Sequence, residues 1–216
     1  MTLAILNRQR TKRINARHLR AILQTLLEDL GIASAELGIN LVGVREMTLL
    51  NETFLRHSGS TDVITFDHGP GTGARNGKAP GLHGELFVCV NEAVAQAKRF
   101  RCTWQAEIVR YIVHGVLHLL GHDDLKSEAR RRMKREENRL VRRLGLKNSF
   151  AELSRAAKSA REQIAFRALA GQFLYRVDCD SARGGHARRR KMVLRHGVEP
   201  HGPAAVFSAQ DHHPRG

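Results

Sequence analysis

The sequence predicts an α/β (α+β) fold, in which a small mixed β-sheet of about four strands is flanked by helices. Two observations favour this class. Short segments rich in β-branched or alternating apolar residues recur, and segments with apolar residues at helical spacing lie between and after them. Aromatic residues make up only 5% of the 216 residues, so the predicted core consists mainly of Leu, Val, Ile and Ala. A chain of this length can build one such core and an appendage.

The first part of the chain alternates predicted strands and helices. Residues 3–6 form a short apolar run that is typical of an edge strand. Residues 15–30 place leucines at helical spacing, and Gly31 then ends the helix. Residues 36–44 alternate apolar and polar side chains, which predicts a second strand, and residues 47–55 return to a helical pattern.

The next part contains two more predicted strands and three helices. The segment TDVITF, residues 61–66, is rich in β-branched residues and predicts a buried strand. A loop rich in Gly and Pro separates it from a strand predicted at residues 85–90. The helical patterns that follow cover residues 92–100, 105–120 and 127–144.

The composition changes after the last of these helices. From residue 149 on, the chain carries twelve Lys and Arg against six Asp and Glu, and Gly, Pro, His and Arg occur without a sustained period. We therefore predict one domain over residues 1–148 and a basic extension over residues 149–216. The start of the extension is compatible with one helix, and the remainder has the composition of a disordered segment.

The formal net charge of +15 indicates a polyanionic partner, because phosphates attract Lys and Arg over long distances and release counterions on binding. No segment approaches the roughly 20 apolar residues of a membrane-spanning helix. The N-terminal apolar run is too short for a signal peptide, and the three scattered cysteines do not form a disulfide framework. We expect a cytoplasmic protein with a nucleic-acid partner, without membrane association or a nucleotide cofactor.

The segment HGVLHLLGHDD, residues 114–124, has the spacing of a metal site. His114 and His118 lie four residues apart in a predicted helix, so both imidazoles project from one face. Gly121 permits the left-handed turn that ends a helix and lets the chain bring Asp124 beside the two histidines. Three such ligands leave one tetrahedral position open, as in catalytic zinc sites. The sequence predicts one Zn²⁺ per chain, bound by His114, His118 and Asp124.

Other interpretations of this segment remain open. His122 and Asp123 compete with Asp124 for the third ligand position, and the two helix histidines could instead be satisfied by other buried groups. Burial of two unpaired histidines on a Leu-rich helix costs free energy, which favours the metal. Gly115 occupies the position at which zinc proteases carry the glutamate of HExxH, so the pattern argues against an ordinary zinc protease.

The same segment resembles the signature of the YbeY family of bacterial endoribonucleases, which is similar to HGxLHLxGxDH. Two more blocks resemble that family in the same order: LNETFLRHSGSTDVITF at residues 50–66 and HGELFV at residues 83–88. The resemblance covers residues 1–146 and does not include the extension.

The resemblance implies a single-strand-specific, metal-dependent endoribonuclease that acts in the maturation of rRNA precursors, including 16S rRNA 3′ end processing, and in ribosome quality control. It implies contact with the ribosomal subunit and a catalytic site containing His114. The family often has a catalytic basic residue where Leu55 stands here, and we expect Arg56, one residue later, to take that role. Asp124 stands where the family has its third histidine, which makes the site harder and more anionic.

Two groups of basic residues are candidates for RNA contact. The first precedes the metal helix, and the second lies on the following helix, where glutamates offer intrahelical ion pairs instead. The candidates are Lys98, Arg99, Arg101, Arg130, Arg131, Arg132, Lys134 and Arg135. Alternative functions are a non-enzymatic ribosome-associated RNA-binding factor with a structural metal, and a metallohydrolase with another substrate.

Overall fold

The computed structural model describes residues 1–69 and 81–154, together with the backbone of two short strands at residues 191–195 and 206–208. The regular elements, in chain order, are β1 (Thr2–Asn7), α1 (Ala16–Asp29), β2 (Ala35–Val42), α2 (Val44–Leu50), β3 (Val63–Asp67), β4 (Leu82–Cys89), α3 (Val90–Phe100), α4 (Trp104–Leu119), α5 (Ser127–Lys147), β5 (Lys191–Arg195) and β6 (Val206–Ser208). None of the helices in these described ranges is long and apolar enough to cross a membrane.

The strands form one mixed sheet in the order β1-β2-β4-β3-β5-β6. Strands β1, β2 and β4 are parallel, whereas β3 runs antiparallel to both β4 and β5. The first four strands and their helices confirm the predicted mixed sheet of about four strands. Strands β5 and β6 belong to the predicted extension and add to the sheet beside β3.

The packed part of the chain continues past the domain boundary predicted at residue 148. A 3₁₀ turn at Phe150–Ser154 follows α5 and buries Leu153 in the core. The Leu153 carbonyl accepts a hydrogen bond of 2.9 Å from the backbone N–H of Asn15, just before α1. Residues 155–190, 196–205 and 209–216 lie outside the described residues, so the helix and disordered segment expected there stay predictions.

The two faces of the sheet carry two separate apolar clusters. In β4, Leu86 and Val88 belong to the larger cluster, whereas Phe87 and Cys89 belong to the smaller one. This alternation places the clusters on opposite faces, because successive side chains of a strand point to opposite sides. Helices α1, α3, α4 and α5 cover the larger cluster, and α2 covers the smaller one.

The helix predicted over residues 47–55 is two structures rather than one. Helix α2 ends at Leu50, and a π-helical turn at Asn51–Leu55 follows. A π turn holds more residues than an α-helical turn, so it shifts the residues after it relative to the helix. Here Leu55 is buried in the smaller cluster, and Arg56 closes the turn in the left-handed conformation with φ of 55°.

Helix α4 lies close to the sheet because Gly115 has no side chain. A Cβ atom at Gly115 would lie 2.5 Å from Leu86 Cδ2 and 2.9 Å from Thr65 Oγ1. These separations are far below van der Waals contact, so any side chain would push the helix away from the strands. The same contact leaves no room for the glutamate that zinc proteases carry at this position.

We expect Gly115→Ala to lower the free energy of unfolding by about 1–3 kcal/mol, because overpacking of a tight core forces the backbone to shift. Gly145→Ala is the matched control, since Gly145 also lies in a helix but its Cβ would meet Phe150 only at 3.6 Å. That control should be neutral or stabilising, because alanine favours helix by about 1 kcal/mol over glycine. Urea unfolding of both variants measures the difference, and equal stabilities would contradict the close approach.

Helix α5 is fixed to α1 by a buried carboxylate. Asp29 Oδ1 accepts a hydrogen bond of 2.6 Å from Lys147 Nζ, and Asp29 Oδ2 lies 2.9 Å from Arg143 Nε. The Lys147 hydrogen bond and the charge of Arg143 hold the pKa of the Asp29 carboxyl below its usual value, although burial acts in the opposite direction. These contacts fix the C-terminal end of α5. The earlier turns of α5 lie beside residues 114–124.

Candidate metal centre

Helix α4 brings His114 and His118 to the same buried face. The helix begins at Trp104, where the Thr103 side chain caps it by accepting a hydrogen bond from the backbone N–H of Ala106. The two histidines follow ten and fourteen residues later, one helical turn apart, and both are at most 4% exposed. Their imidazole rings meet edge to face, with centroids 4.5 Å apart.

The turn after α4 returns the chain to these histidines as the sequence predicts. Gly121 adopts a φ of 88°, and its N–H donates a hydrogen bond of 2.9 Å to the His118 carbonyl. The N–H of His122 donates a 3.0 Å hydrogen bond to the Leu117 carbonyl, which completes a Schellman motif. Asp124 follows and is buried beside the helix.

The three predicted ligands lie together. The Nε2 atoms of His114 and His118 are 2.9 Å apart. Asp124 Oδ2 lies 3.9 Å from His114 Nε2, and Asp124 Oδ1 lies 3.8 Å from His118 Nε2. Two atoms bound to one tetrahedral zinc ion at its usual bond lengths are about 3.3 Å apart, so the observed separations lie on both sides of that value. In the described ranges, this is the single group of three or more His, Cys, Asp or Glu side chains close enough to share an ion.

The outer nitrogens of both imidazoles contact acceptors. His114 Nδ1 lies 3.1 Å from Glu137 Oε2, and His118 Nδ1 lies 2.9 Å from the backbone carbonyl oxygen of His122. Since a carboxylate and a carbonyl only accept, each Nδ1 carries the proton and donates. In the neutral imidazoles, both Nε2 atoms therefore expose a lone pair.

This arrangement fits a bound cation. Two lone pairs at 2.9 Å repel one another unless a positive charge lies between them. The Asp124 carboxylate, on the same side, adds a negative charge that attracts a cation. Two neutral nitrogens and one oxygen form a ligand set that zinc and other divalent transition metals accept. The residues present therefore fit a divalent metal ion.

Glu137 is a site residue that the sequence analysis missed. It lies on α5, 23 residues after His114, and is only 1% exposed. Its Oε1 accepts hydrogen bonds of 2.6 Å from Arg110 Nη1 and 2.7 Å from Lys134 Nζ. The sequence feature that could have indicated its burial is its helical spacing with the apolar residues of one face, Met133, Leu140 and Leu144.

Glu137→Gln should weaken metal binding about 10- to 100-fold, because the neutral amide holds the His114 imidazole less firmly and makes it less basic. Competitive titration with a chelator of known affinity measures the change. Glu136→Gln is the matched control, since Glu136 pairs with Arg139 on the outer side of the same helix. A loss of affinity in the control equal to that in Glu137→Gln would contradict the assignment.

The two other candidates for the third ligand, Asp123 and His122, make different contacts. Asp123 Oδ1 accepts a hydrogen bond of 2.9 Å from the backbone N–H of Leu125 and so closes the turn. His122 is exposed, and its backbone carbonyl rather than its ring contacts His118. Arg130, one of the predicted RNA contacts, instead donates through Nε to the Asp124 carbonyl at 3.0 Å.

Arg56 follows the π turn, whose Leu55 packs on the face of the sheet opposite to α4. Among residues 1–69 and 81–154, no side-chain hydrogen bond or ion pair links Arg56 to the metal group. Its catalytic role stays a prediction. The basic candidates Lys98, Arg99 and Arg101 are exposed at the end of α3.

This chain is similar to known proteins over most of its length. Residues 4–145 match the family model described as Endoribonuclease YbeY. The endoribonuclease YbeY of Chlorobium phaeovibrioides is 34% identical over 152 residues, which cover 70% of this chain and 97% of that protein. The endoribonuclease YbeY of Anaeromyxobacter sp. is 36% identical over 148 residues, which cover 68% of this chain and 73% of that protein.

A solved structure was also found, the solution structure of a Thermotoga maritima protein with a TM-score of 0.49 and 20% identity. The alignment covers 74% of this chain and 99% of that one. The family match includes the whole metal segment and Glu137, and it ends before the extension. The resemblance noted in three sequence blocks is confirmed, and the chain belongs to the YbeY family of endoribonucleases.

Proposed function

We propose that this chain cleaves single-stranded regions of rRNA precursors with the help of one zinc ion held by His114, His118 and Asp124. The observation that carries the proposal is the pair of Nε2 atoms 2.9 Å apart, with the Asp124 carboxylate beside them. Membership of an endoribonuclease family supplies the reaction class and makes RNA the substrate. Action on rRNA precursors and contact with the ribosomal subunit are proposals that the excess of basic residues supports.

A metal ion in this ligand set supplies Lewis-acid stabilisation of the negative charge that develops on a phosphate during strand cleavage. The protein prepares the site through two fixed acceptors, Glu137 and the His122 carbonyl, which hold the imidazoles with their Nε2 atoms facing inward. Arg56 is proposed to contribute a positive charge to the phosphate. Zinc suits two imidazoles, whereas the carboxylate of Asp124 also admits harder divalent ions.

Proteolysis is disfavoured at this centre for a steric reason. A zinc protease of the HExxH type needs a glutamate directly after its first histidine to act as general base. Here that residue is Gly115, and its Cβ position is already filled by Leu86 and Thr65. The described geometry therefore lacks the general base of that class of protease.

The test uses the full-length protein and a labelled RNA that has single-stranded and duplex segments. We expect about one zinc ion per chain by mass spectrometry, with cleavage confined to the single-stranded segment. A chelator should abolish cleavage, and added Zn²⁺ should restore it. Metal-free protein that cleaves at the full rate would contradict the proposal. Metal-free protein that folds, binds RNA and supports rRNA maturation would favour the non-enzymatic function instead.

A further inference from the structure

Helix α5 is strongly basic. It contains nine Lys and Arg against three Glu, a net charge of +6 within 21 residues. Its buried face packs on the core through Met133, Leu140, Val141 and Leu144. The basic side chains therefore lie on the outer and lateral surfaces of the helix.

Most of these cations have a partner within the protein. Arg132 pairs with Glu128, Lys134 with Glu137, and Arg139 with Glu136. Arg143 and Lys147 pair with Asp29. Arg130 donates hydrogen bonds to the backbone carbonyls of Asp124 and Leu125. Three cations differ from this pattern, because no ion pair or hydrogen bond joins their side chains to any residue in the described ranges: Arg131, Arg135 and Arg142.

These three exposed arginines form a line along the helix, which we call the outer arginine line. The spacings of four and seven residues return to nearly the same side of an α-helix. At 1.5 Å per residue, the line extends over about 16 Å. A shallow groove follows its distal part, lined by Arg135, Asn138, Arg139, Arg142, Arg143 and Leu146, and no carboxylate lines it.

The line begins beside the metal centre. Arg131 directly follows Arg130, whose side chain holds the carbonyl of the ligand residue Asp124. Six residues after Arg131, Glu137 contacts His114 from the inner face of the same helix. Helix α5 therefore contacts the metal centre through Glu137 on its inner face and carries a line of unpaired positive charge on its outer face.

We propose that the outer arginine line binds the phosphate backbone of the RNA substrate outside the metal centre. This inference rests on the proposed function, because it assigns a docking surface for the same RNA. Guanidinium groups pair with phosphate oxygens in a bidentate manner, and such contacts do not depend on base sequence. The surface holds the strand while the metal centre acts on a neighbouring segment.

The test compares two variants that lose the same charge. R131Q/R135Q/R142Q removes the line, whereas R10Q/R13Q/R45Q removes three other exposed arginines, one of them on α2. Binding of a fluorescent single-stranded RNA is measured across NaCl concentrations. For three lost phosphate contacts, the slope of log affinity against log salt should fall by about 2 for the line variant. Its KM for cleavage should rise about 10-fold or more at low salt, with kcat unchanged.

Three outcomes are informative. An unchanged slope in the line variant, or an equal fall in both variants, would overturn the proposal. R131K/R135K/R142K retains the charge and should recover most of the slope, whereas failure to recover it would indicate that charge is not the cause. Because binding is measured without cleavage, an inactive wild-type protein would contradict the proposed function and leave this surface testable by itself.

Discussion

His114→Ala should abolish both metal retention and RNA cleavage. The substitution removes one of two imidazole donors and leaves His118 and Asp124 as an incomplete ligand set. Loss of an outer contact to a metal ligand costs about 10- to 100-fold, so loss of the ligand itself should lower cleavage by more than about 100-fold. The fold should persist, since Glu137 keeps its contacts to Arg110 and Lys134.

The measurement combines metal content by mass spectrometry with cleavage of a labelled single-stranded RNA and thermal unfolding of the purified variant. His122→Ala is the matched control, because it removes an exposed imidazole in the same segment and keeps the carbonyl that holds His118. The control should bind metal and cleave RNA normally. A His114→Ala protein that is folded, retains zinc and cleaves RNA would refute the assignment of the site.

Asp124→Ala should cause the second large effect, and Asp124→His should reverse most of it. Alanine removes the only charged donor of the group, so we expect metal affinity to fall by about 100-fold or more. Histidine supplies a third imidazole of the kind that zinc prefers, and it removes the hard oxygen donor. The Asp124→His protein should therefore bind zinc well and lose affinity for Mn²⁺ and Mg²⁺ relative to the wild type.

Metal competition titrations with the three ions measure these changes. Asp123→Asn is the control, since the amide oxygen can still accept the hydrogen bond from the N–H of Leu125. If Asp123→Asn lost the metal while Asp124→Ala retained it, the third ligand would be Asp123. An Asp124→His protein with unchanged ion preference would show that the carboxylate does not determine selectivity.

The features that the sequence predicted well depend on short-range geometry. The spacing of His114 and His118 fixes their common face in any α-helix. A glycine directly after a helical pattern indicates a left-handed residue, which Gly121 is. Asp124 follows within three residues of that turn, so its return to the histidines is also local. The order of strand and helix patterns indicated the fold class for the same reason.

The features that the sequence did not predict depend on contacts between distant segments. Glu137 reaches His114 only because α5 packs across α4, and its spacing with the apolar residues of α5 indicates that it is buried but not which residue it contacts. The π turn before Arg56 places Leu55 in the smaller cluster, and a helical sequence pattern does not distinguish such a turn from an α-helical one. The contact of Gly115 with β4 likewise required knowledge of the helix–sheet distance.

The two cations that pair with Glu137 affect whether the chain folds before or after it binds its metal ion. A carboxylate 1% exposed and neutralised by Arg110 and Lys134 does not need a metal ion to compensate its charge. The large apolar cluster on the same face of the sheet contains none of the three metal-site residues. We therefore expect this chain, unlike small domains that stay unfolded until zinc binds, to fold before it acquires its ion. Newly made enzyme would then wait, folded and inactive, for the supply of metal in the cell.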